Sequence, residues 1–274
     1  MAYFVLEGCP MDETMTAFFA EHLSESIEDY PEGIVIPLDK PLRWTSADAV
    51  RKVKFQLQRQ FHSRKLKVGH AGTLDPMATG VLLACVGKAT KMAEQLQAHE
   101  KEYVARIEFG ATTASYDLEQ PVDTFFPYEH ITPEAVKDAL KGFVGEQEQV
   151  PPIFSAKMVG GFRAYEYART GEPVELKKSV ITVHSIELLD WIEGVEGESR
   201  KLKAVYSSTV RHLHNYHTAE KIAASERPQA DIRIRCSKGT YIRSIARDLG
   251  LALGSGAYLT ALRRTASGDF RVED

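Results

Sequence analysis

Apolar and polar positions along this chain follow two rhythms that alternate often. Over residues 33–41, GIVIPLDKP, a short apolar run ends at the step Asp39-Lys40-Pro41, which predicts a strand entering a turn. Directly after it, TSADAVRKVKFQLQRQF places Ala49, Val53 and Leu57 at helical spacing behind a Thr45 or Ser46 cap, with a basic opposite face. A period of two returns at KEYVARIEFG, where Tyr103, Ala105, Ile107 and Phe109 share one face of a strand and Val104, Arg106 and Glu108 the other.

The same reading covers most of the chain. GVLLACVG (80–87) predicts a buried strand and KATKMAEQLQAHE (88–100) a helix. ITPEAVKDALKGF predicts a helix capped by Thr132, with Pro133 at the first helical position, where its missing N–H costs nothing. RAYEYARTGEPVEL predicts a helix stopped by Gly171 and Pro173, and strands follow at VITVHSIELLDWI and ADIRIRCS. In TYIRSIARDLGLALG the apolar stripe is Ile242, Ile245, Ala246 and Leu249, with Arg243 and Arg247 on another side. MTAFFAEHLSESI, near the N-terminus, predicts a short helix. Many strands, interspersed helices and no regular βαβ alternation predict an α+β fold. Glu193 to Pro228 is charged and polar and reads as an insertion, at about 194–230; its histidines 212, 214 and 217 read as solvated loop rather than metal ligands.

One stretch fits neither rhythm. Residues 67–80, KVGHAGTLDPMATG, hold three glycines, His70 and an Asp75-Pro76 step. Glycine weakens helices and strands, and proline cannot donate to a ladder, so the stretch predicts a long loop. Pro76 pushes Asp75 toward extended backbone, so its carboxylate projects from a constrained turn. Small residues of this kind predict a loop that a ligand can approach closely.

Charge sharpens that picture. The net charge of −4 speaks against a polyanionic partner, but its distribution does not. Residues 1–33 carry eight acids and no Lys or Arg, and predict an acidic extension lying away from any anion-binding surface. Residues 40–70 carry nine Lys or Arg against Asp48 alone, and 231–272 carry eight against three acids. A polyanion responds to local potential, so the 40–70 run predicts a functional basic surface. Hydrophobic and charged contents of 43% and 26% are globular values. No apolar run is long enough to span a bilayer, and the N-terminus lacks a basic n-region. Three widely spaced cysteines without a CxxC pair argue against disulfides or zinc and predict a cytoplasmic protein without a metal site. VGKAT fails the phosphate-loop pattern, which needs Ser or Thr after the lysine where Ala89 stands.

With these residues in view, the chain resembles the TruB-type tRNA pseudouridine synthases. The resemblance is carried, in order, by LDKPLRWTS (38–46), KVGHAGTLDPMATGVLLACVGKATK (67–91), KEYVARIEFGATTASYD (101–117), QVPPIFSAKMVGGFRAYEYARTG (149–171), RCSKGTYIRSIARDLG (235–250) and SGAYLTALRRTASGDF (255–270). It implies a catalytic domain over 34–270, with a central, mostly antiparallel or mixed sheet flanked by helices and a basic active-site cleft. It implies isomerisation of uridine 55 in the tRNA T-stem-loop, with no cofactor and no metal. No C-terminal PUA module is apparent, and a monomer without an obligate protein partner is expected. SYDLEQP keeps Asp117 but lacks a glycine that the family often carries shortly after it.

The resemblance also implies roles. Asp75 matches the family's essential aspartate, acting on the base, on C1′ or on a sugar proton. Arg243 matches an arginine that pairs with it, and Tyr103 an active-site tyrosine that stacks on the uracil. His70 matches a histidine that fills the space of the flipped nucleotide, and Leu262 a leucine of the uracil pocket. Lys40 and Pro41 match a turn near the active site, Lys40 being equally suited to a phosphate. Arg263 and Arg264, with Arg51, Lys52 and Lys54, are phosphate-contact candidates. Two other classes compete. A tRNA-folding chaperone on the same scaffold needs no combination of Asp75, Arg243 and Tyr103, and a glycosidase needs a second acid in the same loop system.

Overall fold

The computed structural model describes residues 3–171, 173–194 and 225–272. Most of the expected insertion, with the three histidines at 212, 214 and 217, lies outside the described residues. In chain order the elements are β1 (Phe4–Val5), α1 (Met15–His22), β2 (Ile34–Lys40), α2 (Ser46–Gln60), β3 (Val68–Ala71), β4 (Ala78–Val86), α3 (Ala93–Ala98) and β5 (Lys101–Phe109). There follow β6 (Ala111–Thr113), β7 (Val122–Phe125), α4 (Pro133–Leu140), β8 (Gly145–Gln149), β9 (Met158–Val159), β10 (Phe162–Arg163) and α5 (Ala164–Thr170). The last are β11 (Ser179–Ile192), β12 (Gln229–Cys236), α6 (Ile242–Ala252), β13 (Ala257–Ser267) and β14 (Phe270–Arg271). This is an α+β fold built on mixed sheet. No helix among the described residues is long and apolar enough to cross a membrane.

The chain divides into two compact units, Met1–Glu102 with Arg263–Asp274, and Tyr103–Leu262. In the first, β4 is buried along its whole length, and from Val81 to Val86 it is a continuous apolar run, the pattern of a strand covered on both faces. It pairs antiparallel with β2, Ile34 opposite Val86 and Lys40 opposite Gly80, and with β3, His70 opposite Ala84. Val35, Val81, Leu83, Cys85, Leu96 and Phe270 pack into one core cluster. Helix α2 starts where the sequence predicts: Thr45 accepts from the Asp48 N–H and the Asp48 carboxylate reaches back, closing a capping box. Its Ala49, Val50, Val53 and Leu57 are buried.

The acidic segment 3–33 is built into this unit. Strand β1 runs parallel to β2, and Leu6, Met15, Phe19 and Leu23 are buried. The Lys52 ammonium donates to Met11 O at 2.7 Å, and Gln60 donates to the carbonyls of Leu23 and Ser24 at 3.2 and 3.1 Å. Lys52, one cation of the basic helix face, is thereby spent on protein. The helix expected over 88–100 divides into a 3-10 stretch, Gly87–Met92, and the short α3. Gly87 begins it in the left-handed region, its N–H held by Lys67 O.

In the second unit the strand order is β5-β12-β11-β8. The polar face of β5 is not solvated. Arg106 grips the fully buried Asp231 carboxylate through two bonds of 2.7 and 2.8 Å. Buried Glu108 accepts from Arg227, Gln229 and the Tyr258 hydroxyl at 2.8, 2.7 and 2.8 Å. Burial and that neighbouring charge push the Tyr258 hydroxyl up to about 12. Helix α6 buries the predicted stripe, and Thr132 caps α4 through the Ala135 N–H.

Candidate active site

The long loop expected at 67–80 is shorter, because Val68–Ala71 and Ala78–Val86 are strands and only 72–77 link them. Two of its glycines answer to the protein's own backbone. Gly80 has φ +94°, and a Cβ there would lie 2.1 Å from Arg264 O. Gly72 has φ +87° beside the Arg264 guanidinium. Gly69 has open space around it, so close approach of a ligand remains an account of that position alone.

Asp75 is half-buried in this linker. Its neighbours are held on both sides. The Ser46 hydroxyl donates to Leu74 O at 3.0 Å and accepts from Leu74 N at 2.9 Å. Pro76 O accepts from the Arg43 N–H at 2.8 Å, with the Lys40 ammonium 3.5 Å away, and Asp75 O accepts from Ala78 N. Arg43 sits at φ +66°, a left-handed conformation that costs about 1–2 kcal/mol in a residue with a Cβ and persists where the surroundings over-determine it.

Lys40 is fully buried and donates to Pro41 O and Trp44 O at 2.8 and 2.7 Å. Burial holds its ammonium down to about 8, against the opposing pull of the Asp75 charge. It therefore braces the Pro41 turn and is not exposed to a phosphate. Arg263 and Arg264 are likewise withdrawn from the phosphate-contact set, for the same reason of burial. Adjacent on β13, they point to opposite faces. Arg263 forms a bidentate pair with Asp39 at 2.8 and 2.9 Å, and Arg264 donates to Val81 O at 2.6 Å and Gly72 O at 2.9 Å. His70, on β3, is partly buried, and its Nδ1 has no hydrogen-bond partner among the described residues. Burial, helped by the nearby Arg264 charge, lowers its pKa, which favours the neutral ring.

Cations that do face outward lie beside this loop. Lys54, Arg64, Lys65 and Lys67 line a cavity of about 460 Å³ with Leu66, Val68, Gly69 and Thr90. None of the four forms an ion pair among the described residues. Of the helix-face candidates, Arg51 is paired with Asp48 at 2.8 Å, and Lys52 lies over the Trp44 ring at 5.4 Å; Lys54 alone lines the cavity.

In the second unit Arg243, in the first turn of α6, is buried. Its Nη1 donates to Ser115 O at 3.2 Å, and its Nε lies 3.6 Å from the Asp117 carboxylate. Asp117 accepts from the Ser115 hydroxyl at 2.6 Å and from the Glu119 N–H at 2.9 Å. Tyr116, at φ +57°, bends the chain so that residues on both sides meet the guanidinium. Sequence reasoning noted Asp117 but gave it and Ser115 no role; the signal was a carboxylate kept in an otherwise altered stretch. Tyr103 and Leu262 are buried on β5 and β13.

Chemically, the first unit offers a carboxylate on a braced linker, a neutral imidazole and unpaired surface cations. The second offers an oriented buried guanidinium and a buried tyrosine. A family model described as TruB family pseudouridylate synthase (N terminal domain) matches residues 58–211, and one described as tRNA pseudouridylate synthase B C-terminal domain matches 243–274. The tRNA pseudouridine synthase B of Phocaeicola vulgatus is 47% identical over 246 residues, 90% of each chain. That of Bacteroides thetaiotaomicron is 48% identical over 248 residues, again 90% of each. Among solved structures, a chain of a Cbf5-Nop10-Gar1 complex aligns with TM-score 0.56 and 27% identity over 90% of this chain and 52% of its own. A chain of an H/ACA RNP bound to a substrate RNA containing 2'-deoxyuridine gives 0.51 and 26% over 88% and 49%. This chain spans about half the length of those two.

Proposed function

Because this chain belongs to the TruB family of pseudouridylate synthases, we propose that it isomerises uridine to pseudouridine in tRNA, at position 55 of the T-loop. The observation that carries this reading is relatedness along nearly the whole length: proteins named tRNA pseudouridine synthase B match at 47–48% identity over 90% of both chains.

The reaction detaches uracil from C1′, turns it and rejoins it through C5. A stacked base cannot be reached inside folded RNA, so the nucleotide is extruded into the protein first. The unpaired cations Lys54, Arg64, Lys65 and Lys67 supply the sequence-independent grip on phosphates. His70 fills the vacated stack as a neutral ring, for which its unbonded Nδ1 and lowered pKa suit it. Asp75 is the group that acts on the extruded nucleotide. Its braced backbone supports the role, since a reacting group held in place converts binding into rate. Arg243, held by Ser115 O and Asp117, is the cation assigned to align the reacting carboxylate. Tyr103 stacks on the uracil and is assigned the proton transfer at C5, and Leu262 packs against the base. The chain works in this reading as a cytoplasmic monomer without cofactor or metal, in keeping with its three free cysteines.

Carbodiimide adduct mapping by primer extension on an unmodified tRNA transcript tests the assignment. A stop dependent on the protein at position 55, and absent from a transcript with cytidine there, is expected. A stop elsewhere would move the target, and binding without any stop would favour the folding-chaperone alternative.

A further inference from the structure

The linker carrying Asp75 is gripped at three points by two side chains that the reaction scheme does not use. Ser46, the first residue of α2, is buried and bonds both backbone groups of Leu74, the residue before Asp75, at 3.0 and 2.9 Å. Arg264, buried on β13, bonds Gly72 O, at the start of the linker, at 2.9 Å and Val81 O, in β4 beyond its end, at 2.6 Å. We infer that Ser46 and Arg264 are positioning residues for the isomerisation, a clamp that fixes where the Asp75 carboxylate stands.

Two features argue for a clamp over ordinary packing. First, the guanidinium is buried without a carboxylate among the described residues, beside Lys40, a second buried cation bonded only to backbone carbonyls. Burying charge is expensive, and an apolar side chain would fill the space at lower cost. What the guanidinium adds is rigid, multidentate donation to two carbonyls that an apolar residue leaves unbonded. Second, a single hydroxyl satisfies both polar groups of Leu74. Without it the N–H and C=O next to Asp75 lose their partner, and the linker must move to recover hydrogen bonds. Displacing a reacting group by about 1 Å costs on the order of 100-fold in rate. Neither side chain touches the nucleotide in this scheme, so RNA affinity has no reason to change.

This inference rests on the reading that Asp75 acts on uridine. The test measures single-turnover pseudouridine formation and, separately, the Kd for tRNA, using the full chain, Ser46→Ala and Arg264→Lys. The lysine variant keeps the charge but cannot bond both carbonyls, and the serine variant deletes one oxygen atom, so it covers the case in which the arginine variant does not fold. Expected for Ser46→Ala is a rate at saturating enzyme about 10- to 100-fold lower, with Kd within twofold of the parent. A folded Arg264→Lys is expected to show the same split. Ser46→Ala turning over within twofold of the parent overturns the inference, as does a loss confined to Kd or to thermal stability. No turnover by the parent chain would instead overturn the reading on which it stands.

Discussion

At the scale of single residues, burial decides what a charged side chain can do. Lys40, Arg263 and Arg264 look alike in sequence to Lys54 and Lys67, yet the first three bond carbonyls or Asp39 inside the protein and the last two line an open basic cavity. Lys40 yields a measurable consequence. Its ammonium is held down to about 8 in the folded protein, whereas the unfolded chain keeps the ordinary value of about 10.5. Between those values the unfolded state binds the proton more tightly, so through this group stability rises with pH, by at most about 1.4 kcal/mol per pH unit. The gain is absent below pH 8 and complete above 10.5. Urea denaturation at pH 8 and pH 10 should show the parent gaining at least about 1 kcal/mol relative to Lys40→Met. Equal pH dependence in the two proteins would show that Lys40 is not desolvated.

At the scale of elements, the structure brings distant parts of the chain onto one side chain. The Thr113–Asp117 turn meets the start of α6, and Arg243 is oriented by Ser115 O and the Asp117 carboxylate. Asp117→Asn keeps the shape and removes the charge that faces a buried guanidinium. Weakening one of the contacts that orient a buried guanidinium lets it shift, and a displacement of about 1 Å at a reacting centre costs on the order of 100-fold in rate. Turnover should therefore fall by about 100-fold or more while tRNA affinity stays within a few fold. A variant with parental turnover would leave Asp117 no part in orienting Arg243. This pairing shows where sequence reading stops. Local signals placed α2 with its Thr45 cap, α4 with Thr132, the apolar β4 and the odd linker around Asp75, because each is set by neighbours a few residues away. The polar face of β5 was not legible, because the partners that bury Arg106 and Glu108 lie 125 and 119 residues further on. For the same reason two adjacent arginines on β13 read as phosphate contacts: the Asp39 that holds Arg263 is 224 residues away.

At the scale of the whole molecule, a net charge of −4 coexists with an RNA substrate because the charges are sorted. The eight acids of the first 33 residues belong to a segment folded onto one face of α2, which it joins through Met11 O, Leu23 O and Ser24 O. The outward cations gather instead at Lys54, Arg64, Lys65 and Lys67. In the proposed reading binding and chemistry fall to different residues: exposed cations grip the phosphates, and buried ones hold the reacting groups. That division makes the two experimentally separable. The most direct measurement is tritium release from tRNA carrying 5-tritiated uridine, comparing the parent chain with Asp75→Asn and measuring tRNA binding alongside. The account predicts release by the parent and none above background by the variant, with Kd within a few fold. Release by Asp75→Asn at the parental rate would contradict it.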